Sequence, residues 1–194
     1  MSRLLIVGPQ GSGKGTQGVE IAGLLNIPAI STGDMFRANI GGETELGLKI
    51  KAVIEAGNLV DDALTAEVVT DRLSQEDAAA GFLLDGYPRN LVQVADLDEF
   101  LTARGEALDL VVELVVPREE SITRLVARAA EQGRSDDTEE VISNRLKIYE
   151  EQTTPILDVY RERGIVAEVD GVGSIADVLA RITEVLRERD LLAA

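Results

Sequence analysis

The 194-residue sequence contains no cysteine, no histidine and no tryptophan. The absence of cysteine and histidine excludes disulfides, thiol nucleophiles, imidazole bases and zinc sites built from these two residue types. Any chemistry must therefore depend on lysine, arginine, carboxylates, hydroxyls and backbone amides. Aromatic residues make up only 3% of the chain, so we expect a core of mainly aliphatic side chains.

The sequence also lacks a long apolar run and an excess of basic charge. Its longest apolar stretch, residues 108–116, is interrupted by Asp109 and Glu113 and is far too short to cross a membrane. No secretory signal is recognised, which predicts a cytoplasmic protein. The net charge of −16 argues against nucleic acid or an anionic membrane as a partner. Because no additional apolar stripe is evident, a monomer is predicted.

The hydrophobic pattern predicts one α/β domain. Five short apolar runs are predicted to be strands, at residues 4–7, 28–30, 82–84, 110–116 and 166–169. Each run is nearly continuous, as is typical of parallel strands covered by helices on both faces. Helices are predicted to begin at Asn90, Asp137 and Ser174. Two segments, residues 32–77 and 128–137, carry no strand pattern and are predicted excursions from a five-stranded parallel sheet.

The segment GPQGSGKGTQ, residues 8–17, directly follows the first predicted strand. It nearly matches the phosphate-binding pattern G-x-x-x-x-G-K-[ST], in which glycines let backbone N–H groups converge on phosphate oxygens. A glycine-rich turn without a ligand is the disfavoured alternative. Gly15 stands where the pattern requires a hydroxyl for Mg²⁺, and Thr16 follows one residue later. A metal ion is therefore predicted to be held loosely, through water or another group, while other cations neutralise the phosphates.

Arginines can supply that positive charge. The arginines near a loop or a helix end at the presumed rim of the sheet are Arg37, Arg89, Arg128, Arg134 and Arg145. Because this acidic chain has few basic residues, a cluster of arginines is stronger evidence for a phosphate-binding site than it would be in a basic chain. The arginines interpreted instead as solvated charges on helix faces are Arg118, Arg124, Arg161, Arg163 and Arg181.

Five motifs occur in the order and spacing of the nucleoside monophosphate kinases. They are GPQGSGKGTQ, STGDMFR (31–37), GNLVDD (57–62), GFLLDGYPRN (81–90) and GRSDD with the later NRL (133–146). On these motifs essentially the whole chain resembles the adenylate kinase family. The resemblance implies a phosphate-loop NTPase-like fold and reversible, Mg²⁺-dependent transfer of the γ-phosphoryl group of ATP to AMP. The product would be two ADP, which serves adenine nucleotide homeostasis.

The resemblance also implies a division of the chain. It places a core in residues 1–30, 61–127 and 138–194, an AMP-binding segment in residues 31–60 and a short lid in residues 128–137. Some relatives insert a longer lid with a zinc-binding cluster. This chain has neither the length nor the ligands for such an insertion, so no zinc is expected.

For ATP, the resemblance implies contacts from the phosphate loop, the lid and the last strand's end. The implied residues are Gly11, Ser12, Gly13, Lys14, Gly15, Thr16, Arg128 and Gly173. Asp85 would hold Mg²⁺ through water, although a cap of the turn before Gly86 explains this residue equally well. The residues implied in catalysis are Lys14, Arg89, Arg128, Arg134 and Arg145.

For AMP, the implied residues are Thr32, Arg37, Asn58, Leu59, Val60, Gly86, Tyr87, Pro88, Arg89, Gln93, Arg134 and Arg145. Arg89 would bind the phosphate with its planar fork, and Gln93 would hydrogen-bond to the adenine edge as donor and acceptor together. The alternative for Gln93 is an exposed helix residue. Thr32 favours AMP over UMP or CMP, since pyrimidine-nucleotide relatives usually carry alanine in the corresponding stretch.

Several functions stay open at this point. The phosphate of AMP is mostly a dianion at neutral pH and needs no general base, in agreement with the lack of histidine. A kinase for UMP, CMP or a deoxynucleotide would share this chemistry. A nucleotide-dependent switch usually carries N-K-x-D to recognise guanine, and that tetrapeptide is absent. A non-catalytic AMP sensor would bind both nucleotides without forming ADP.

Overall fold

The computed structural model describes residues 2–132 and 138–193. A parallel sheet of five strands in the order β2-β3-β1-β4-β5 forms its centre. The strands are β1 (Ser2–Val7), β2 (Ala29–Ser31), β3 (Gly81–Asp85), β4 (Leu110–Val115) and β5 (Val166–Asp170). All five predicted strands and their parallel arrangement are therefore confirmed.

Helices connect these strands. They are α1 (Lys14–Leu25), α2 (Thr32–Gly41), α3 (Glu45–Glu55), α4 (Asp62–Leu73), α5 (Leu91–Ala103), α6 (Arg118–Gln132), α7 (Glu139–Ile148), α8 (Thr154–Glu162) and α9 (Ile175–Glu188). A 3₁₀ turn follows α4 at Glu76–Ala78, and a π-helical turn, Tyr149–Thr153, joins α7 to α8. Among the helices of the described residues, none combines the length and apolar composition needed to cross a bilayer.

The sheet is apolar because both of its faces are covered. On β1, Leu5 and Val7 belong to one buried cluster, which includes residues of α5 and α8. Leu4 and Ile6 point the other way and pack with residues of α1 and α9. Alternate side chains of one strand thus enter two cores, which explains the continuous apolar runs in the sequence.

The predicted excursion after β2 is helical, as expected. Helices α2, α3 and α4 pack around a small separate cluster that contains Phe36, Ile50 and Val60. The second predicted excursion lies partly outside the described residues. Helix α6 continues through Arg128 to Gln132, and residues 133–137 are not described.

The predicted starts of α5 and α9 are confirmed, and that of α7 needs a correction. Asn90 and Ser174 cap their helices as expected. Asp137, the predicted start of α7, lies outside the described residues, and the described helix is capped by the Thr138 hydroxyl, which accepts from the Val141 N–H. Aspartate and threonine are both favoured at the N-cap position, so the sequence alone does not distinguish Asp137 from the adjacent Thr138 as the N-cap of α7.

We expect Ser174→Ala to lower the free energy of unfolding by about 1 kcal/mol. The Ser174 hydroxyl accepts from the Asp177 N–H at 3.2 Å, and the Asp177 carboxylate accepts from the Ser174 N–H at 3.1 Å. Alanine removes the first bond. Ser174→Thr keeps the hydroxyl and serves as the control. Urea denaturation should separate the two variants, and equal stability of both would contradict this role of the cap.

Candidate functional site

The loop between β1 and α1 lies at the carboxyl edge of the central strand, where parallel α/β sheets bind ligands. It contains two residues with positive φ, Gly11 at 81° and Gly13 at 93°. A Cβ atom at Gly11 would collide with the carbonyl oxygen of Ser121 in α6. Glycine is therefore required there both by the backbone conformation and by the close approach of α6.

Lys14 begins α1 and turns its side chain back onto the loop. Its Nζ donates to the carbonyl oxygens of Gly8 at 2.8 Å and Pro9 at 2.9 Å. Burial lowers the pKa of Lys14 to about 8, the Asp85 carboxylate opposes this shift, and nearby arginines add to it. These arginines are Arg89, Arg145 and Arg128. The structure thus gathers four of the five predicted catalytic cations around one point; the fifth, Arg134, lies outside the described residues.

Arg89 is held by main-chain groups as well. Its Nε donates to the Gly86 carbonyl oxygen at 2.7 Å, and that same oxygen accepts from the Thr32 hydroxyl at 2.8 Å. The Thr153 hydroxyl donates to the Arg89 carbonyl oxygen at 2.8 Å. Burial and the neighbouring charges of Arg145 and Arg37 lower the pKa of Arg89 to about 10, against the effect of Asp85. A dianionic ligand would relieve this repulsion.

A large cleft opens in front of these cations. Its volume of about 710 Å³ is within the range of ligand pockets. All residues predicted for ATP line it, namely Gly11, Ser12, Gly13, Lys14, Gly15, Thr16, Arg128 and Gly173. Asp85 and Pro88 line it too, and Asp85 lies beside the loop, since a Cβ atom at Gly15 would be 3.7 Å from its Oδ2.

A second, smaller cavity lies between the helical excursion and the sheet. It is lined by nine of the residues predicted for AMP, namely Thr32, Arg37, Asn58, Leu59, Val60, Gly86, Arg89, Gln93 and Arg145. Its volume of about 40 Å³ is far below that of the larger cleft. Arg37, Arg89 and Arg145 line both cavities, so the two spaces meet at three arginines.

Two of the residues predicted for AMP stand apart from this cavity. The side chain of Tyr87 is 2% exposed and belongs to the hydrophobic core, so it lines neither cavity. Pro88 lines the larger cleft rather than the smaller cavity. Tyr87 and Pro88 both belong to the motif GFLLDGYPRN. Only Pro88 lines a cavity large enough for a ligand.

Gln93 is buried, which excludes the alternative of an exposed helix residue. Its Oε1 accepts from the Arg89 N–H at 2.8 Å, and its Nε2 donates to Oδ1 of Asp62 at 2.8 Å. The Gln93 side chain thus links Arg89 to Asp62, the first residue of α4. The role of Asp62 was not predicted from the sequence, because no local pattern relates it to a residue 31 positions later.

The interpretation of Arg124 as a solvated charge is wrong. Its guanidinium donates to the carbonyl oxygens of Gly171 at 3.1 Å and Ser12 at 3.4 Å, and it also pairs with Glu120. Arg124 therefore lines the larger cleft and ties α6 to the phosphate loop. The only sequence signal was the spacing to Glu120, which is equally typical of an exposed ion pair.

Arg181 is partly exposed, as predicted, with 42% of its side chain accessible, but it also has a structural role. Its Nη1 donates to the carbonyl oxygens of Asp170 and Val172, each at 2.7 Å, and so fixes the loop that contains Gly173. The remaining three arginines of that group form surface ion pairs with carboxylates, as for the pair of Arg118 and Glu150.

The chain is similar in sequence to known proteins. The sequence model of the family described as adenylate kinase matches residues 6–165. An adenylate kinase of Leifsonia xyli subsp. xyli is 55% identical over 97% of this chain and 95% of its own length. Adenylate kinases of Kocuria rhizophila and Thermobifida fusca are 55% and 51% identical, each over 96% of this chain and 99% of their own length.

The crowding of cations around Lys14 can be tested by titration. The chain has only four lysines, so NMR of ε-¹³C-labelled lysine should resolve each, and Lys14→Met assigns the signal by its loss. We expect Lys14 to titrate near pH 8. Asp85→Asn should lower this pKa further, because an opposite charge is lost, whereas Arg89→Met should raise it, because a like charge is lost. Shifts of the opposite sign would contradict the described arrangement.

Proposed function

The chain belongs to the adenylate kinase family, and from that premise we propose that its two joined cavities hold ATP and AMP while the γ-phosphoryl group passes between them. The protein is a phosphotransferase that converts ATP and AMP reversibly into two ADP. The single observation that carries the assignment of sites is the meeting of both cavities at Arg37, Arg89 and Arg145.

The larger cleft is the proposed ATP site. Its phosphate loop presents the N-terminus of α1, where backbone N–H groups and the helix dipole favour anions. Lys14 adds a full charge at the same place. Gly173 and Ser174 line the far side of the cleft and provide space for the base. Arg124 holds this far side against the phosphate loop through its bonds to Gly171 and Ser12.

The smaller cavity is the proposed AMP site. Arg89 and Arg37 would bind the AMP phosphate at the end that meets the cleft, and Gln93 would contact the adenine at the other end. Because the cavity is far smaller than the larger cleft, we propose that its outer wall moves to admit AMP. We assign that movement to the segment of residues 31–60, whose buried side chains Phe36, Ile50 and Val60 form a cluster separate from the two cores of the sheet and pack there against α4.

Transfer requires alignment and charge neutralisation rather than a proton acceptor. An oxygen of the AMP dianion attacks the γ-phosphorus of ATP, and the bond from that phosphorus to the β,γ-bridging oxygen breaks, leaving two ADP. We propose that Lys14, Arg89, Arg128, Arg134 and Arg145 neutralise the charge on the transferring group, which is the main demand of such transition states. Buried cations act strongly here because water screens them little.

The described residues fit a magnesium ion bound largely by the substrate. Among them, no group of three or more carboxylates could hold a metal by itself. Asp85, beside Gly15, is the carboxylate in position to bind metal-coordinated water. Mg²⁺ in nucleotide sites usually keeps several waters and binds phosphate oxygens, so one acidic residue suffices. When bound, the ion would neutralise phosphate charge. Monomeric state and cytoplasmic location stay predictions from the sequence.

A panel of acceptors tests the proposed sites. ATP, Mg²⁺ and either AMP, UMP or CMP should be supplied in turn, with ADP formation followed by a coupled assay. We expect efficient turnover with AMP alone, because Gln93 offers adenine a donor and an acceptor at the buried end of the cavity. Comparable kcat/KM values with UMP or CMP would refute this assignment of the acceptor site.

Replacing the loop lysine should abolish most of the activity. We expect Lys14→Met to lower kcat by about 10²- to 10³-fold or more, because one preorganised charge at the transferring group is lost. Lys49→Met is the matched control, since Lys49 is exposed on α3 and pairs only with Glu45 among the described contacts. Circular dichroism should show both variants folded. Near-normal turnover of the Lys14 variant would count against the mechanism.

A further inference from the structure

A closed ring of hydrogen bonds joins Gln93 to Asp62 and Asn90. Oδ1 of Asp62 accepts from Nε2 of Gln93 at 2.8 Å and from Nδ2 of Asn90 at 2.9 Å. Oδ1 of Asn90 in turn accepts from the Gln93 N–H at 2.9 Å. On the other side, Oε1 of Gln93 accepts from the Arg89 N–H at 2.8 Å. The first residue of α4 and the N-cap of α5 thus hold one buried amide group.

This network determines which way the amide points. A carboxylate can only accept a hydrogen bond and a backbone N–H can only donate one. The end of Gln93 that faces Asp62 must therefore be the NH₂ group, and the end that faces Arg89 must be the oxygen. An amide rotated by half a turn would set oxygen against the Asp62 carboxylate and NH₂ against the Arg89 N–H. Both contacts would then be repulsive.

The network leaves a specific pair of groups for a ligand. A glutamine amide has two N–H donors and two acceptor lone pairs, and the two bonds use one of each. One N–H and one lone pair remain, and Gln93 lines the smaller cavity. A 6-aminopurine presents the matching edge, with an acceptor at N1 and a donor at N6. A 6-oxopurine presents the reverse, with a donor at N1 and an acceptor at O6.

We propose that Asp62 is a positioning residue that selects 6-aminopurine over 6-oxopurine nucleotides by fixing the orientation of the Gln93 amide. Asp62 does not itself line either described cavity, so it acts through Gln93. The inference rests on the proposed function, because it takes the smaller cavity to bind the base of AMP. It predicts that AMP is preferred to IMP, which carries the same ribose and the same phosphate.

The test compares AMP and IMP as acceptors with ATP and Mg²⁺. We expect Asp62→Ala to lower the ratio of kcat/KM for AMP to that for IMP by about tenfold, which corresponds to the loss of one hydrogen bond to a charged group. The KM for AMP should rise, while the KM for ATP should stay unchanged. Both acceptors carry the same phosphate, so a general effect of the lost negative charge cancels in the ratio.

The conservative variant Asp62→Asn tests whether Asp62 fixes the orientation of the Gln93 amide or only holds the side chain in place. Asparagine at this position can accept from the NH₂ group of Gln93 or donate to its oxygen, so this end of the amide no longer enforces one orientation and only the Arg89 N–H still favours it. We therefore expect Asp62→Asn to keep the KM for AMP near the wild-type value and still to lower the AMP-to-IMP ratio. If Asp62→Ala does not fold, Asp62→Asn carries the test alone.

Asp61→Ala is the matched control. Asp61 is exposed and caps the same helix by accepting from the Leu64 N–H at 3.1 Å, without any described contact to Gln93. Its loss should lower the melting temperature and leave the ratio unchanged. An equal change of the ratio in Asp61→Ala, or a ratio within about twofold of wild type in Asp62→Asn and Asp62→Ala, would overturn the proposal.

The dependence on Gln93 can be shown directly. In a Gln93→Leu background, adding Asp62→Ala should leave the AMP-to-IMP ratio unchanged, since the amide through which Asp62 acts is gone. Additive effects of the two substitutions would show that Asp62 acts by another route and would also overturn the proposal. Conversion of AMP to ADP by the wild-type protein checks the proposed function separately, so the two failures are distinguishable.

Discussion

The burial of several cations together at the carboxyl edge of the sheet is the constraint on which the site depends. Burial is the main cause of the lowered pKa values of Lys14 and Arg89, and repulsion from neighbouring arginines adds to it. The described side-chain hydrogen bonds of Lys14 and Arg89 go to neutral carbonyl oxygens. Several surface arginines instead pair with carboxylates, as in the bidentate pair of Arg163 and Asp98. Carbonyl partners orient a cation without neutralising it, so its full charge stays available to phosphates.

Such orientation requires a rigid frame, and the sheet supplies it. The loops after β1, β3 and β5 all leave the same edge of the sheet, and side chains from other elements hold them there. Arg124 of α6 binds the loops after β1 and β5, while the Thr32 hydroxyl binds the Gly86 carbonyl after β3. Each loop is therefore fixed by a strand on one side and by a distant polar group on the other. The proposed phosphate-binding groups are thus already positioned in the described structure.

The fold was predictable because each strand carries its own local signal, a short apolar run ended by glycine, proline or a polar residue. The loop lysine and Arg89 were predictable for the same reason, since their motifs are contiguous. Arg124 was not, because its partners Ser12 and Gly171 lie 112 and 47 positions away, and its local spacing resembles a surface ion pair. Tyr87 shows the converse, because its motif resembles a ligand-binding segment while its side chain fills the core. Local patterns specify elements and motifs, whereas long-range polar contacts appear only after folding.

Helix α7 links the wall of the smaller cavity to the junction of both cavities. Its Asn144 donates to the Ala56 carbonyl and the Asn58 side chain, each at 3.0 Å, and a Cβ atom at Gly57 would lie 2.9 Å from Cγ1 of Val141. The same helix carries Arg145, which lines both cavities. If the wall moves to admit AMP, as proposed, these contacts would break on opening and re-form on closing, which would bring the wall and Arg145 together again. A site completed only when the wall has closed excludes water from the transferring phosphoryl group, for which water is the competing acceptor.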